Sequence, residues 1–233
     1  MAPGAPFRQN RGMSDFQARV LPTPTHGHYL IAAPAGDGSG PLLVGFHGYG
    51  QSAEQHLADL RRLPGLDGAV RVSVQALHLF YARSQDVVGS WMTRHGRELA
   101  IADNVRYVGA VVERVRAEFP RAGRLAYLGF SQGAAMAYRA AAFAGHACHA
   151  LVALGGDLPP DVAADRNAPL PPVLIGRGRH DSWFTREKVE ADLLRLGERG
   201  ASVRLVEYEG GHEWRAAFEA EAAAFLSAQL LEG

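Results

Sequence analysis

The sequence holds one cysteine, Cys148, in 233 residues. An intrachain disulfide is therefore excluded, and the usage fits a reducing compartment, the cytoplasm. There is no excess of charge of either sign, since 24 basic and 24 acidic residues cancel. Nothing in that balance favours nucleic acid or an anionic membrane surface as a partner. No apolar run approaches the roughly 18 residues of a membrane helix, so no stable membrane insertion is expected. The N-terminus, MAPGAPFRQNRGM, lacks the apolar stretch of a secretory signal. Rich in Pro, Gly and Arg, it reads as a disordered tail over residues 1–14. No internal repeat, P-loop or G-x-G-x-x-G element occurs, so no nucleotide cofactor is indicated. His26-x-His28 and His146-x-Cys148-His149 have no partner set at ordinary zinc spacing, and no metal site is expected.

What is present is an ordinary share of hydrophobic residues, 47%, in a chain long enough for one large core, expected over residues 15–233. Strand and helix patterns alternate along it. Strands are expected at His28–Ala32, Leu42–His47, Val70–Gln75, Leu125–Phe130, His149–Leu154, Pro172–Ile175 and Val203–Tyr208. Helices are expected at Ser52–Leu63 with Ser52 as N-cap, Glu98–Phe119, Gln132–Ala144, Phe184–Arg199 and Glu213–Leu231. The apolar stripe Ile101, Val105, Val108, Val112, Val115 has the helical period. A long loop is expected from Ala76 to about Arg94. The succession predicts an α/β fold with a mostly parallel sheet and helices on both faces. Between Gly155 and Pro172 there is no room for a large lid.

Ligands in such sheets bind beyond the carboxyl ends of the strands. One of those ends reads Gly129-Phe130-Ser131-Gln132-Gly133, a G-x-S-x-G elbow between a strand and a helix. The sharp turn leaves no space for side chains at positions 129 and 133, and it exposes Ser131 at a helix N-terminus. A serine needs a base. His212 follows the last strand in Tyr208-Glu209-Gly210-Gly211-His212 and is the candidate, with His180 as competitor. The imidazole needs a carboxylate partner. Asp181 stands after the preceding strand, and Asp157, one strand earlier, is the alternative. Asp181 is also placed to cap the helix near Phe184, and one side chain is expected to serve only one of these roles.

Oxyanion donors are expected from the Gln132 N–H and, in His47-Gly48-Tyr49-Gly50, from the Tyr49 N–H. His47 reads as a structural histidine holding that loop. Trp91 and Met92, with Phe80 and Tyr81, lie in the long loop and serve either as an apolar wall for substrate or as packing for the loop itself. Trp183 and Trp214 carry the same two possibilities.

These pieces resemble a family. FHGYG at Phe46–Gly50, SW at Ser90–Trp91, GFSQGAAMA at Gly129–Ala137, GRHD at Gly178–Asp181 and YEGGHEW at Tyr208–Trp214 are similar, in order, to motifs of the phospholipase/carboxylesterase group of α/β-hydrolases. The resemblance spans about residues 28–230. It implies an α/β-hydrolase fold without a large lid and a metal-free Ser131–Asp181–His212 triad with backbone donors at Tyr49 and Gln132. It also implies hydrolysis of small-molecule carboxylic esters or thioesters: short or medium acyl esters, lysophospholipids or thioesters. The sequence departs from the family at Tyr49 and Gln51, where HGLGD is frequent, and at Ser182-Trp183-Phe184, where valine-proline is frequent. Acyl transfer to an alcohol or peroxide by the same triad, and non-catalytic binding on the same fold, are the alternatives.

Overall fold

A computed structural model describes residues 17–231, and the expected N-terminal tail at 1–14 lies outside the described residues. The chain enters through β1 (Tyr29–Ala32), β2 (Leu42–Phe46), α1 (Ala53–Arg61) and β3 (Val70–Val74). It continues through β4 (His78–Tyr81), β5 (Val87–Ser90), α2 (Arg97–Glu118), β6 (Leu125–Phe130) and α3 (Gln132–Phe143). It ends through β7 (Ala150–Leu154), α4 (Pro160–Ala164), β8 (Val173–Gly178), α5 (Arg186–Glu198), β9 (Val203–Tyr208) and α6 (Ala216–Leu230).

Strands β2, β3, β6 and β7 are buried at every position. A strand hidden on both faces must lie inside a sheet that is covered on both sides, which is why these runs are almost wholly apolar. The sheet has seven strands in the order β1-β3-β2-β6-β7-β8-β9. Only β1 runs antiparallel to its neighbour. Because side chains alternate along a strand, the sheet feeds two cores. On one face Val44, Tyr127, Leu151 and Ile175 meet Val108, Val112 and Val115 of α2, the alanines of α3, and Val189 of α5. On the other, Leu43, Leu128, Val152 and Leu174 meet Leu60 of α1 and Phe218, Ala222 and Leu226 of α6. Each fully buried side chain of this size contributes roughly 1.5–3 kcal/mol. Ser52 caps α1 as expected: its hydroxyl accepts from the Gln55 amide, and the Gln55 side chain accepts from the Ser52 amide.

The expected loop from Ala76 to Arg94 is instead an antiparallel hairpin, with His78 opposite Ser90 and Tyr81 opposite Val87. Its β-formers, Leu79-Phe80-Tyr81 and Val87-Val88, pair outside the main sheet, and Gln85 takes a positive φ of 69° in the turn. Strand β8 runs to Gly178, past the expected Ile175, because Gly176–Gly178 keep pairing with Val206–Tyr208. Helix α4 has five residues, and among the described residues no large lid covers the strand ends. It is held by a two-bond pairing of buried Arg139 with Asp161, at 2.7 and 2.8 Å. Among the described residues no helix is long and apolar enough to cross a membrane.

Candidate active site

Strand β6 lies in the middle of the sheet and ends at Phe130, directly before Ser131. The turn into α3 is abrupt: Ser131 has φ 55° and ψ −119°, and its amide donates to the Leu154 carbonyl at 2.8 Å. The two glycines are dictated by close approach. A Cβ on Gly129 would lie 2.1 Å from the Gly133 carbonyl oxygen, and one on Gly133 would lie 2.0 Å from the Phe46 carbonyl oxygen. Hence α3 can start directly against β2 and β6, with the Ser131 hydroxyl outermost.

His212 reaches this hydroxyl from the β9–α6 loop. Its Nε2 is 2.8 Å from Ser131 Oγ and its Nδ1 is 2.7 Å from Asp181 Oδ2. The Phe130 ring lies against the imidazole, with centroids 4.9 Å apart. Asp181 is buried at the end of β8. It does not cap α5, which begins at Arg186 with Thr185 as N-cap, so the expected choice between capping and partnering the histidine does not arise. Its Oδ1 instead accepts from the amides of Trp183 (2.8 Å) and Phe184 (2.9 Å) in the turn before the helix, while Oδ2 faces His212. A carboxylate has two oxygens and about four lone-pair sites, so holding the turn and facing the histidine fit one side chain. His180 is exposed, 3.3 Å from Glu209, and Asp157 faces Lys188 at 3.4 Å. Neither approaches the imidazole as Asp181 does.

The loop after β2 is held rigid from below. His47 is fully buried, and its Nδ1 donates to the Gly48 carbonyl (2.7 Å) while Nε2 accepts from the Ala76 amide (3.1 Å). Burial pushes its pKa down to about 4, so the ring is a neutral structural element at pH 7. Gln51 Oε1 accepts from the Gly48 amide at 2.8 Å. Among the described residues the Tyr49 and Gln132 amides donate to no protein acceptor, and both residues line the same cavity as Ser131.

The hairpin braces this loop from the side. Gly50 donates to the Gly89 carbonyl (3.0 Å), Gly89 donates to the Gln51 carbonyl (2.9 Å), and Tyr49 stacks on Phe80 with centroids 5.3 Å apart. Trp91 and Met92, expected as substrate contacts, do not line the cavity; both are buried behind it. Trp91 Nε1 donates to the His47 carbonyl at 2.8 Å, and its ring meets Phe46 edge-on. Trp214 packs on Phe218.

Trp183, in contrast, is exposed on the cavity rim. The cavity has a volume of about 910 Å³ and runs from Tyr49 past Ser131 and His212 to a wall formed by Leu158–Pro160 and one face of α5. That wall contains Asp192, whose Oδ2 accepts from the Leu158 amide at 2.7 Å and whose pKa burial pushes up to about 6.

Sequence reasoning missed the side chains of Gln51, Gln75 and Gln132, which tie the loops around Ser131. The one available signal was the run of glutamines at strand ends, where an amide offers a donor and an acceptor at once.

No family model matches the chain, and no curated protein matches it. Solved structures do. Esterase PE8 superposes with a TM-score of 0.67 at 26% identity, over 88% of this chain and 98% of its own. Acyl-protein thioesterase 2 of Zea mays superposes with a TM-score of 0.68 at 18% identity, over 88% of this chain and 99% of its own. The Bacillus cereus carboxylesterase gives 0.68 at 16% identity, over 87% and 94%. The chain therefore has the α/β-hydrolase fold, in the form shared by hydrolases of the phospholipase/carboxylesterase type.

Proposed function

We propose that this protein is a serine hydrolase that cleaves carboxylic esters through an acyl-enzyme on Ser131. The observation that carries the proposal is the double contact of His212, 2.8 Å to Ser131 Oγ and 2.7 Å to Asp181 Oδ2. His212 Nε2 takes the hydroxyl proton as Oγ attacks the ester carbonyl. The negative charge that develops on the carbonyl oxygen is met by the Tyr49 N–H in the loop after β2 and the Gln132 N–H at the start of α3. His212 then returns the proton to the departing alcohol or thiol. Water, deprotonated by the same imidazole, releases the acid and restores Ser131. Asp181 keeps the Nδ1–H tautomer facing itself and offsets the charge that the ring gains.

The cavity supports small acyl substrates. Phe130, Ala135, Leu158 and Trp183 supply apolar lining, and esters, thioesters and lysophospholipids of short or medium acyl length fit its size. Similarity to named esterases and a thioesterase supports the same chemistry. The single cysteine supports a cytoplasmic setting.

The test is a chain-length series of p-nitrophenyl esters and acyl thioesters, with a fluorophosphonate probe run beside it. Turnover and labelling should both vanish in Ser131→Ala. Labelling that survives that substitution, or a wild type inert to every substrate, would overturn the proposal.

A further inference from the structure

Asp181 sits in a turn whose two halves are secured differently. The outgoing half is pinned by backbone: Arg179 donates to the Tyr208 carbonyl (2.9 Å), His180 to the Gly210 carbonyl (2.9 Å) and Asp181 to the Gly178 carbonyl (3.0 Å). The returning half, Ser182–Phe184, makes no backbone–backbone hydrogen bond among the described residues. It is held by three side chains. Lys188 donates to the Trp183 carbonyl at 2.7 Å from the exposed side. Asp181 itself holds it through Oδ1. The third is Arg177, near the end of β8, which alone bonds both flanks of the turn.

Arg177 is buried and points two of its guanidinium nitrogens into the base of this turn and the third at β9. Nε donates to the Phe184 carbonyl (2.9 Å), Nη2 to the Arg179 carbonyl (3.2 Å) and Nη1 to Glu207 Oε1 (2.8 Å). The two carbonyls flank Asp181, two residues before it and three after. Glu207 is the residue opposite Arg177 on β9, and its one contact with the guanidinium needs only an acceptor oxygen, which a glutamine at this position also offers. Arg177 does not line the cavity.

We infer that Arg177 is a positioning residue for the acid: it closes the Arg179–Phe184 turn from within and thereby aims Asp181 Oδ2 at His212. This rests on the proposed roles of Ser131, Asp181 and His212. If the turn opens, the Trp183 and Phe184 amides leave Oδ1, and the carboxylate is free to rotate away from the imidazole. Lysine cannot substitute, because one ammonium cannot reach three acceptors in fixed directions.

The test uses Arg177→Met and Arg177→Lys, with Glu207→Gln as control. Active sites are titrated with a fluorophosphonate, kcat is expressed per titrated site, and the His212 Nδ1 proton is followed by its downfield NMR resonance. In Arg177→Met the resonance should broaden or vanish, and kcat per site should fall by about 10²-fold, less than the roughly 10⁴-fold expected for Asp181→Asn. KM should stay within about twofold, since the residue lies outside the cavity. Arg177→Lys should lose at least about tenfold, and Glu207→Gln should keep the wild-type kcat and resonance. A merely structural role would lower the titrated fraction and leave kcat per site unchanged. That outcome overturns the inference, in Arg177→Met or, if that variant does not fold, in Arg177→Lys. Failure of the proposed function itself is read separately, from a wild type that the probe does not label at Ser131.

Discussion

The side chain of Gln132 accepts a hydrogen bond from the Trp91 amide at 2.9 Å and donates one to the Met92 carbonyl at 3.0 Å. The residue that follows Ser131 thus clips the foot of the β4–β5 hairpin to the first turn of α3, while its own amide stays free toward the cavity. Gln132→Ala keeps that amide but leaves the Trp91 N–H without an acceptor, while the Met92 carbonyl keeps only the Ser90 hydroxyl as donor, at 2.8 Å. It should cost about 1–3 kcal/mol of stability and lower kcat more than it raises KM. Gln132→Glu should not rescue, because a carboxylate cannot donate to Met92. Urea midpoints and steady-state kinetics on both variants check this, and a glutamate variant equal to wild type would refute the clip.

The tryptophans at 91 and 183 should separate cleanly. Trp91 is wholly buried and bonded to the His47 carbonyl, so Trp91→Ala should destabilise by about 3–5 kcal/mol. Trp183 is 70% exposed on the cavity rim, and Trp183→Ala should leave the melting temperature nearly unchanged. Its effect should appear as a KM increase of roughly fivefold, confined to longer acyl esters, from about 1 kcal/mol of lost apolar contact. Equal effects on acetyl and octanoyl esters would remove Trp183 from the substrate wall.

Two glycines near His212 differ in what surrounds them. A Cβ on Gly178 would lie 2.2 Å from the Gly211 carbonyl oxygen, whereas one on Gly211 meets nothing within 4 Å. Gly178→Ala should therefore displace the loop that carries His212 and abolish turnover. Gly211→Ala should remain within a few-fold of wild type. Probe labelling rates on the pair decide it, and the reverse ranking would contradict the loop packing.

Acid should act on two buried groups in opposite senses. His47 titrates near 4 in the folded chain against an ordinary 6.5. As pH falls through that window the unfolded chain binds the proton first, so stability is lost. Asp192 titrates near 6 against an ordinary 3.8, so the folded chain binds first and stability is gained as pH falls from about 6. Each contribution is on the order of 3 kcal/mol, and they largely offset. Urea midpoints at pH 7, 5 and 4 should show a steeper acid loss in Asp192→Asn than in wild type, and a flatter one in His47→Asn. Parallel slopes in all three proteins would disprove the assignment.

Much of the fold was legible because it rests on local signals. Unbroken apolar runs such as Leu42–Phe46 and Leu125–Phe130 can only be interior strands. The order of elements then sends Ser131, Asp181 and His212 to one edge of the sheet. The β4–β5 hairpin was not legible: its strands are short and partly exposed, and beyond each other they meet only the Gln51 bridge at Gly89, so no buried period marks them. Whether Trp91 faces substrate or protein was equally hidden, since the answer depends on a hydrogen bond to His47, 44 residues away. Asp181 shows a further limit. Position names one function for a side chain, and only the directions of its two oxygens reveal two. Arg177 reads in sequence as one more charge in the turn after the strand expected to end at Ile175, because its three acceptors come from a turn and a strand that meet only after folding.

Ser131 and Gln85 are the non-glycine residues with positive φ among those described. A backbone held there costs on the order of 1–3 kcal/mol, and glycine would relieve it at an entropic cost of roughly 0.5–1 kcal/mol. Ser131→Gly should then fold at least as stably as the parent chain while losing the hydroxyl. Any selection scored on solubility or heat resistance alone would tend to accumulate chemically silent descendants. A campaign to toughen this scaffold must read out probe labelling in every round, because its most stable members and its most reactive ones pull the same residue in opposite directions.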